Sequence, residues 1–173
     1  MNRLIVFAAA TALVSGAGVA LAATGPSDPE IAHIAYTAGV LDVAAGKQAL
    51  AKSHNKAVRE FAREMVRDHE AVNGQALALV GKLHVTPADN ATSKALAEQA
   101  KATHAKLAKL TGAAFDKAYV ANEVAFHGTV NGALSSTLIP SADNGELKSL
   151  LQTGLTLFTE HQKHAEHLAA SLK

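Results

Sequence analysis

Side chains spaced three and four residues apart constrain this chain more than any other feature. Val58, Phe61, Ala62, Met65, His69, Val72, Ala76, Leu79 and Leu83 all fall on one side of a helix. A period of 3.6 residues gathers such a set into one stripe, and a stripe that long must be covered by other helices. A second seam lies near the end of the chain, formed by Leu147, Leu151, Gly154, Phe158, His161, Ala165, Leu168 and Leu172. No stretch alternates apolar and polar residues between hairpin turns, so no sheet is expected for the seams to pack on. Alanine is abundant and aromatic residues make up only 4% of the chain, a composition that favours helix over strand. An all-α fold is predicted.

The breaks between periodic stretches predict four long helices and a connector. The first begins at Asp28-Pro29-Glu30, with Asp28 as N-cap and Pro29 at the first helical position, and runs to about Ser53. Ser53 or Asn55 caps the second, which ends near Leu83, before Thr86-Pro87. A connector over 84–110 is expected to be helical from Ser93 onward. Thr111 caps a third long helix that ends near Ile139-Pro140, and the last runs from about Glu146 to Leu172. Short turns make the first and last pairs antiparallel hairpins, and the connector is long enough to travel the length of the bundle. The expected architecture is a ferritin-like four-helix bundle: two antiparallel hairpins joined by a long, partly helical crossover.

Residues 1–22 read as a cleaved signal peptide. Arg3 precedes an apolar body, and Ala20-Leu21-Ala22 supplies the small-residue cleavage site. An uncleaved membrane anchor is the alternative, since the apolar stretch approaches the length of a span. Residues 23–173 then form a single helical-bundle domain, exported to the periplasm, with no membrane span left after cleavage and with outer-membrane association open. The 16 Lys and Arg stand against 15 Asp and Glu, and losing Arg3 leaves 15 of each. A balanced chain lacks the excess of clustered basic residues that nucleic acid requires, so no nucleic-acid partner is expected. Having no cysteine removes disulfides, thiolate metal sites and cysteine nucleophiles.

Nine histidines remain to be explained. His69 lies halfway along the second helix, His127 halfway along the third, and His161 within a turn of the middle of the fourth. Asp42 is close to the middle of the first, on the stripe of Ile31, Ala35, Ala38, Ala45 and Ala49. Residues near mid-length of equal antiparallel helices share one layer, so four helices each send a metal-competent group to one level of the core. Glu123, one turn before His127, could reach the same cavity or face solvent. A set of carboxylate and imidazole groups suits zinc, iron, manganese or copper(II). A hydrogen-bonded His–Asp network with water is the other way to satisfy such groups. Asp68 is expected at the surface or behind His69, and His164 at the rim. His54, His84 and His104 fall at helix ends or on the connector.

The carboxylate-bridged di-iron motif is not present in its usual form. It needs Glu-x-x-His on two helices, and the only such tetrad is Glu30-Ile31-Ala32-His33, at the very start of the first helix. No Gly-x-Ser-x-Gly, phosphate-binding loop or dinucleotide fingerprint occurs. Met65 is the one methionine after the signal, which excludes a methionine-lined copper(I) store.

The segment Ala62-Arg63-Glu64-Met65-Val66-Arg67-Asp68-His69 resembles the DUF4142 family of exported bacterial proteins. Gly39-Val40-Leu41-Asp42 with Gly46, Phe115 to Val120, His127, Glu146-Leu147-Lys148 and Leu157 to His161 match it as well. The resemblance spans about Ile31 to Leu172 and implies a ferritin-like bundle exported to the periplasm. The family usually carries Glu where this chain has Asp42, which retracts the carboxylate by one methylene.

Three functions remain open on the sequence. The first is a non-enzymatic bundle that binds a divalent transition metal (zinc, iron or manganese) through His69, His127, His161, Asp42 and Glu123. The second is a metal-free envelope-stress or cell-surface interaction module, acting as a homodimer or with an envelope protein, whose histidines form a structural core network. Gly128-x-x-x-Gly132 would then serve close helix contact. An oxidoreductase with an atypical metal centre ranks last, since no catalytic motif supports it.

Overall fold

The computed structural model describes residues 25–172; the signal-peptide segment, residues 1–22, lies outside them. The described residues form helices α1 (Asp28–Lys52), α2 (Lys56–Lys82), α3 (Ala91–Ala108) and α4 (Gly112–Ala133). A π-helical turn, Leu134–Leu138, and the short α5 (Ile139–Ser141) prolong α4, and α6 (Gly145–Ser171) closes the chain. No strand occurs among the described residues, and the fold is the ferritin-like bundle expected.

Side chains of asparagine satisfy free N–H groups at the starts of α2, α3 and α6, whereas Thr111 makes no such bond at the start of α4. Asn55 accepts from the amides of Ala57 and Val58, and Asn144 does the same for Glu146 and Leu147. The start of α1 differs from expectation. Ser27, not Asp28, is the N-cap, and Glu30 closes a capping box by accepting from the Ser27 amide at 2.9 Å. Asp28 instead makes a long-range contact. Its carboxylate accepts from the amides of Asp143 and Asn144 at 2.9 and 2.8 Å, tying the start of α1 to the turn before α6. The connector turns helical at Ala91, two residues earlier than expected, because Asn90 caps it. The end of the third long helix departs more, because regular α-helix stops at Ala133 and the π turn carries the chain to Ile139-Pro140.

The α1 helix packs chiefly on α2, and α4 on α6. The crossover α3 runs alongside α1 in the same direction. At its start, the Ala88 amide donates to Pro29 O at 2.9 Å; at its end, Lys52 Nζ donates to Ala108 O at 2.9 Å. This crossover returns the chain to the far end of the bundle, so α4 runs parallel to α2. The core falls into two apolar clusters. Phe61, Met65, Phe115, Tyr119 and Val120 build one, near the end of α1, and Ile31, Ile34, Leu138, Leu147 and Leu151 build the other, near its start. Between them lies a layer of buried polar groups.

Close approach of α1 to α2 depends on two glycines. A Cβ on Gly39 would stand 2.2 Å from Asn73 Oδ1; one on Gly46 would stand 2.9 Å from Val66 Cγ2 and 3.1 Å from the Ala62 carbonyl oxygen. The pair Gly128 and Gly132 does not play this part, for a Cβ at Gly128 would meet only Gln162, at 3.7 Å, and one at Gly132 nothing within 4 Å. Gly46→Val should therefore cost about 1–3 kcal/mol through overpacking against backbone that cannot yield. Gly74→Ala, in the exposed middle of α2 with nothing within 4 Å, should instead stabilise by about 0.5–1 kcal/mol. Denaturant melts of the two variants check the contrast in sign.

Candidate metal centre

The polar layer is built by one residue from each of α1, α2 and α6 and two from α4. Asp42, His69, Glu123, His127 and His161 are each no more than 3% exposed. Each sits on the inward stripe near the middle of its helix, so the bundle geometry that buries Ala38 and Ala45 also buries Asp42. Glu123 follows the same logic, since it precedes His127 by one turn and shares its face. All five candidate residues are thus brought together.

The three imidazoles stand in a nearly equilateral triangle. Ring centroids are 5.6 Å apart for His69 and His127, 5.5 Å for His69 and His161, and 5.6 Å for His127 and His161. One nitrogen of each lies within 4.8 Å of one nitrogen of the others. The centre of such a triangle is about 3.2 Å from each centroid, which matches a ring whose nitrogen stands about 2.0–2.1 Å from a shared ion. Asp42 Oδ2 lies 3.5 Å from His69 Nε2 and 3.6 Å from His127 Nε2. Two ligands of one tetrahedral ion are separated by about 3.4 Å. Glu123 Oε2 approaches the other side of the His127 ring, 3.7 Å from Nδ1. Asp42, Glu123 and His127 form a second close group that shares His127 with the first.

Hydrogen bonds from behind fix two of the rings. His127 Nδ1 donates to the Glu123 carbonyl oxygen at 3.0 Å, which leaves Nε2 as a bare lone pair toward Asp42. His161 Nε2 donates to Asp68 Oδ2 at 3.1 Å, which leaves Nδ1 buried and unpaired. The Arg67 guanidinium holds Asp68 as a carboxylate, donating to Oδ1 at 2.6 Å and to Oδ2 at 2.9 Å. An imidazole oriented by a carboxylate on its far nitrogen is the usual arrangement behind a metal ligand. Asp68 therefore backs His161 across the helix interface rather than its neighbour His69. The His69 ring is held by stacking on Phe158, with centroids 4.5 Å apart and planes within 8°.

Toward the centre, pairing stops. Both oxygens of Asp42, both oxygens of Glu123, both nitrogens of His69, His127 Nε2 and His161 Nδ1 are buried with no hydrogen-bond partner in the protein. Burial keeps the groups neutral. It pushes Asp42 up to about 7 from 3.8 and pushes Glu123 well above its usual value, with the Asp42 charge adding to the effect on Glu123. It draws His69 down to about 3 and His127 to about 4, and lowers His161 despite the Asp68 carboxylate. The imidazoles of the close His69–Asp42 and His127–Asp42 pairs are therefore uncharged and the pairs are not ion pairs, because desolvation outweighs their attraction.

Other histidines lie elsewhere. His164, at the rim, meets Glu64 Oε2 through Nδ1 at 2.8 Å and sets its edge on the Phe61 ring. His104 is half-buried on α3 and lines a crevice of about 70 Å³ that leads from Gln99, Thr103 and Asn122 to Asp42 and Glu123. Tyr119 borders the layer without standing out in the sequence. It lies one turn before Glu123 with its hydroxyl buried and unpaired, and burial followed by the charges of Glu123 and Asp42 pushes its phenol well above the usual value. The i, i+4, i+8 spacing of Tyr119, Glu123 and His127 is the one sequence signal for it.

A sequence profile described as a domain of unknown function, DUF4142, matches residues 14–168. The chain belongs to the DUF4142 family. Among solved structures, it is similar to a protein of the DUF305 family from Streptomyces coelicolor, described as secreted, with 12% identity and a TM-score of 0.71. The match covers 83% of this chain and 91% of that one, and at this identity it speaks for the fold alone. No curated protein matches the chain. No described helix of this DUF4142 protein is long and apolar enough to cross a membrane.

The raised carboxyl and lowered imidazoles give opposite pH trends in the metal-free protein. Asp42 holds its proton when folded over a range where the unfolded chain has released it, so its contribution is full below about 3.8 and is lost as pH rises through about 7. His69 and His127 contribute fully above 6.5, and their contribution is lost as pH falls toward about 3 and 4. Asp42→Asn removes only the first trend. In chelator, the stability of the parent minus that of Asp42→Asn should fall from pH 4 to 7 and then level off, as read from urea melts. A difference that grows with pH would mean that Asp42 is an ionised, paired carboxylate.

Proposed function

We propose that this DUF4142 protein is an exported periplasmic binding protein for a divalent transition metal, held by His69, His127, His161 and Asp42 with Glu123 beside them. Zinc, iron(II) and manganese(II) fit the donor set. The observation that carries the reading is the triangle of imidazoles with the Asp42 oxygen beside two of them, and the inward atoms left unpaired. Orphaned polar atoms in a core cost stability, and an ion at their focus would engage several of them at once. The charge also closes: a dication with two ionised carboxylates and three neutral imidazoles sums to zero, so burial carries no net charge. Asp68 and the Glu123 carbonyl would supply the outer hydrogen bonds that orient His161 and His127. The crevice beneath α3, of mixed polar and apolar lining, reaches Asp42 and Glu123. In an interaction module with a metal-free histidine network, water would have to bridge these inward atoms, since they do not bond to one another.

Binding should displace the protons that burial leaves on the carboxyl groups, so affinity should rise between pH 6 and 8. Titration calorimetry should find about one ion per chain. An ion at 100-fold above its Kd should stabilise the fold by about 2.7 kcal/mol, raising the melting temperature. His127→Ala should abolish that rise, and Asp68→Asn, outside the ligand set, should weaken binding about 10- to 100-fold. No change in melting temperature with zinc, iron(II) or manganese(II) at pH 7.5 would overturn the reading in favour of the metal-free module.

A further inference from the structure

The apolar half of the bundle nearest the start of α1 is not fully packed. A cavity of about 130 Å³ lies there, walled by Ile34 and Ala38 of α1, Leu134 and Leu138 of the π turn, and Leu147 and Leu151 of α6. Phe158 forms part of the wall, and Asp42, His69 and His127 stand at one end. Bundle cores are ordinarily packed with few voids larger than a water molecule, so a space of this size needs a reason. The π turn bears on it. Its widened backbone places Leu134 and Leu138 on the cavity wall, and such turns interrupt α-helices mostly at functional sites.

We infer that this cavity is a binding site for an uncharged, mainly apolar organic molecule about the size of a single ring. Size and lining argue for that class: engineered cavities of about 150 Å³ walled by Leu, Ile and Phe stay dry and take up benzene. No Lys or Arg lines the space, so nothing there would hold an anionic group. The unpaired His127 Nε2 and Asp42 oxygens give the occupant a polar end to meet. The lining also includes Asn73 of α2 and Thr92 and Leu96 of α3. The site shares Asp42, His69 and His127 with the polar layer at one end. It does not rest on the metal reading, since the apolar side chains of α1, the π turn and α6 form much of the rest of its walls.

Benzene added to the full-length protein in chelator is the direct probe, read by methyl NMR of labelled Ile and Leu. Saturable shifts are expected at Ile34, Leu134, Leu138, Leu147 and Leu151, with a rise in melting temperature. Ala38→Leu, which fills the space from α1, should weaken benzene binding at least 10-fold. Ala133→Leu, which fills it from α4, replaces that variant if it does not fold. Because the titration is run in chelator, failure of the metal reading leaves this result intact. Absence of saturable shifts, or shifts of equal affinity in the filled variant, would overturn the assignment and mark the space as water-filled or collapsed.

Discussion

Five ionisable side chains share one dry layer in the middle of this bundle, and the cost of removing them from water governs the rest of the structure. Desolvation favours the protonated form of the Asp42 and Glu123 carboxyl groups and the neutral form of the three imidazoles. Neutrality alone does not satisfy their nitrogens and oxygens, most of which have no partner on the inward side. The layer is thus tolerable only because the apolar clusters on either side stabilise the bundle, and it gains most from a ligand that engages several atoms at once. A dication meets that need while restoring the carboxylates to their charged form.

Helix packing supplies the position of each group. The glycines at 39 and 46 let α1 lie close to α2, which brings the Asp42 oxygen to about the same distance from His69 and His127. At the other interface, Asp68 of α2 reaches His161 of α6, so the bond that orients the ring also ties the two hairpins together. The Arg67 contact that keeps Asp68 ionised is partly exposed, and its value lies in that orientation more than in stability. The layer has different surroundings on its two sides. A crevice of mixed lining under α3 reaches Asp42 and Glu123, while an apolar cavity reaches Asp42, His69 and His127.

Much of this is legible in the residues alone. The fourth-helix seam from Leu147 to Leu168 is buried at every position, because a long amphipathic stripe has only one way to avoid water. In α2 the seam holds from Val58 to His69 and then loosens, with Val72, which lines the cavity, and Ala76 and Leu79 only half-buried. Asp28 reads locally as a cap, yet its carboxylate serves residues 143 and 144, a partnership that sequence distance hides. The π turn is equally invisible, because an extra residue in a helical turn leaves no fixed residue signature.

By itself the sequence determined the helices, the hairpin-and-crossover connectivity and the mid-length level of Asp42, His69, His127 and His161. These follow from periodicity, capping residues and rise per residue, which are local properties of the chain. Only the tertiary structure decided whether those groups face one another, that Glu123 joins them, and that Asp68 stands behind His161 rather than His69. Those outcomes depend on helix rotation and separation, which are set by side-chain packing between helices distant in sequence. A quarter turn of α1 would have left every periodic pattern legible and the layer empty of its carboxylate.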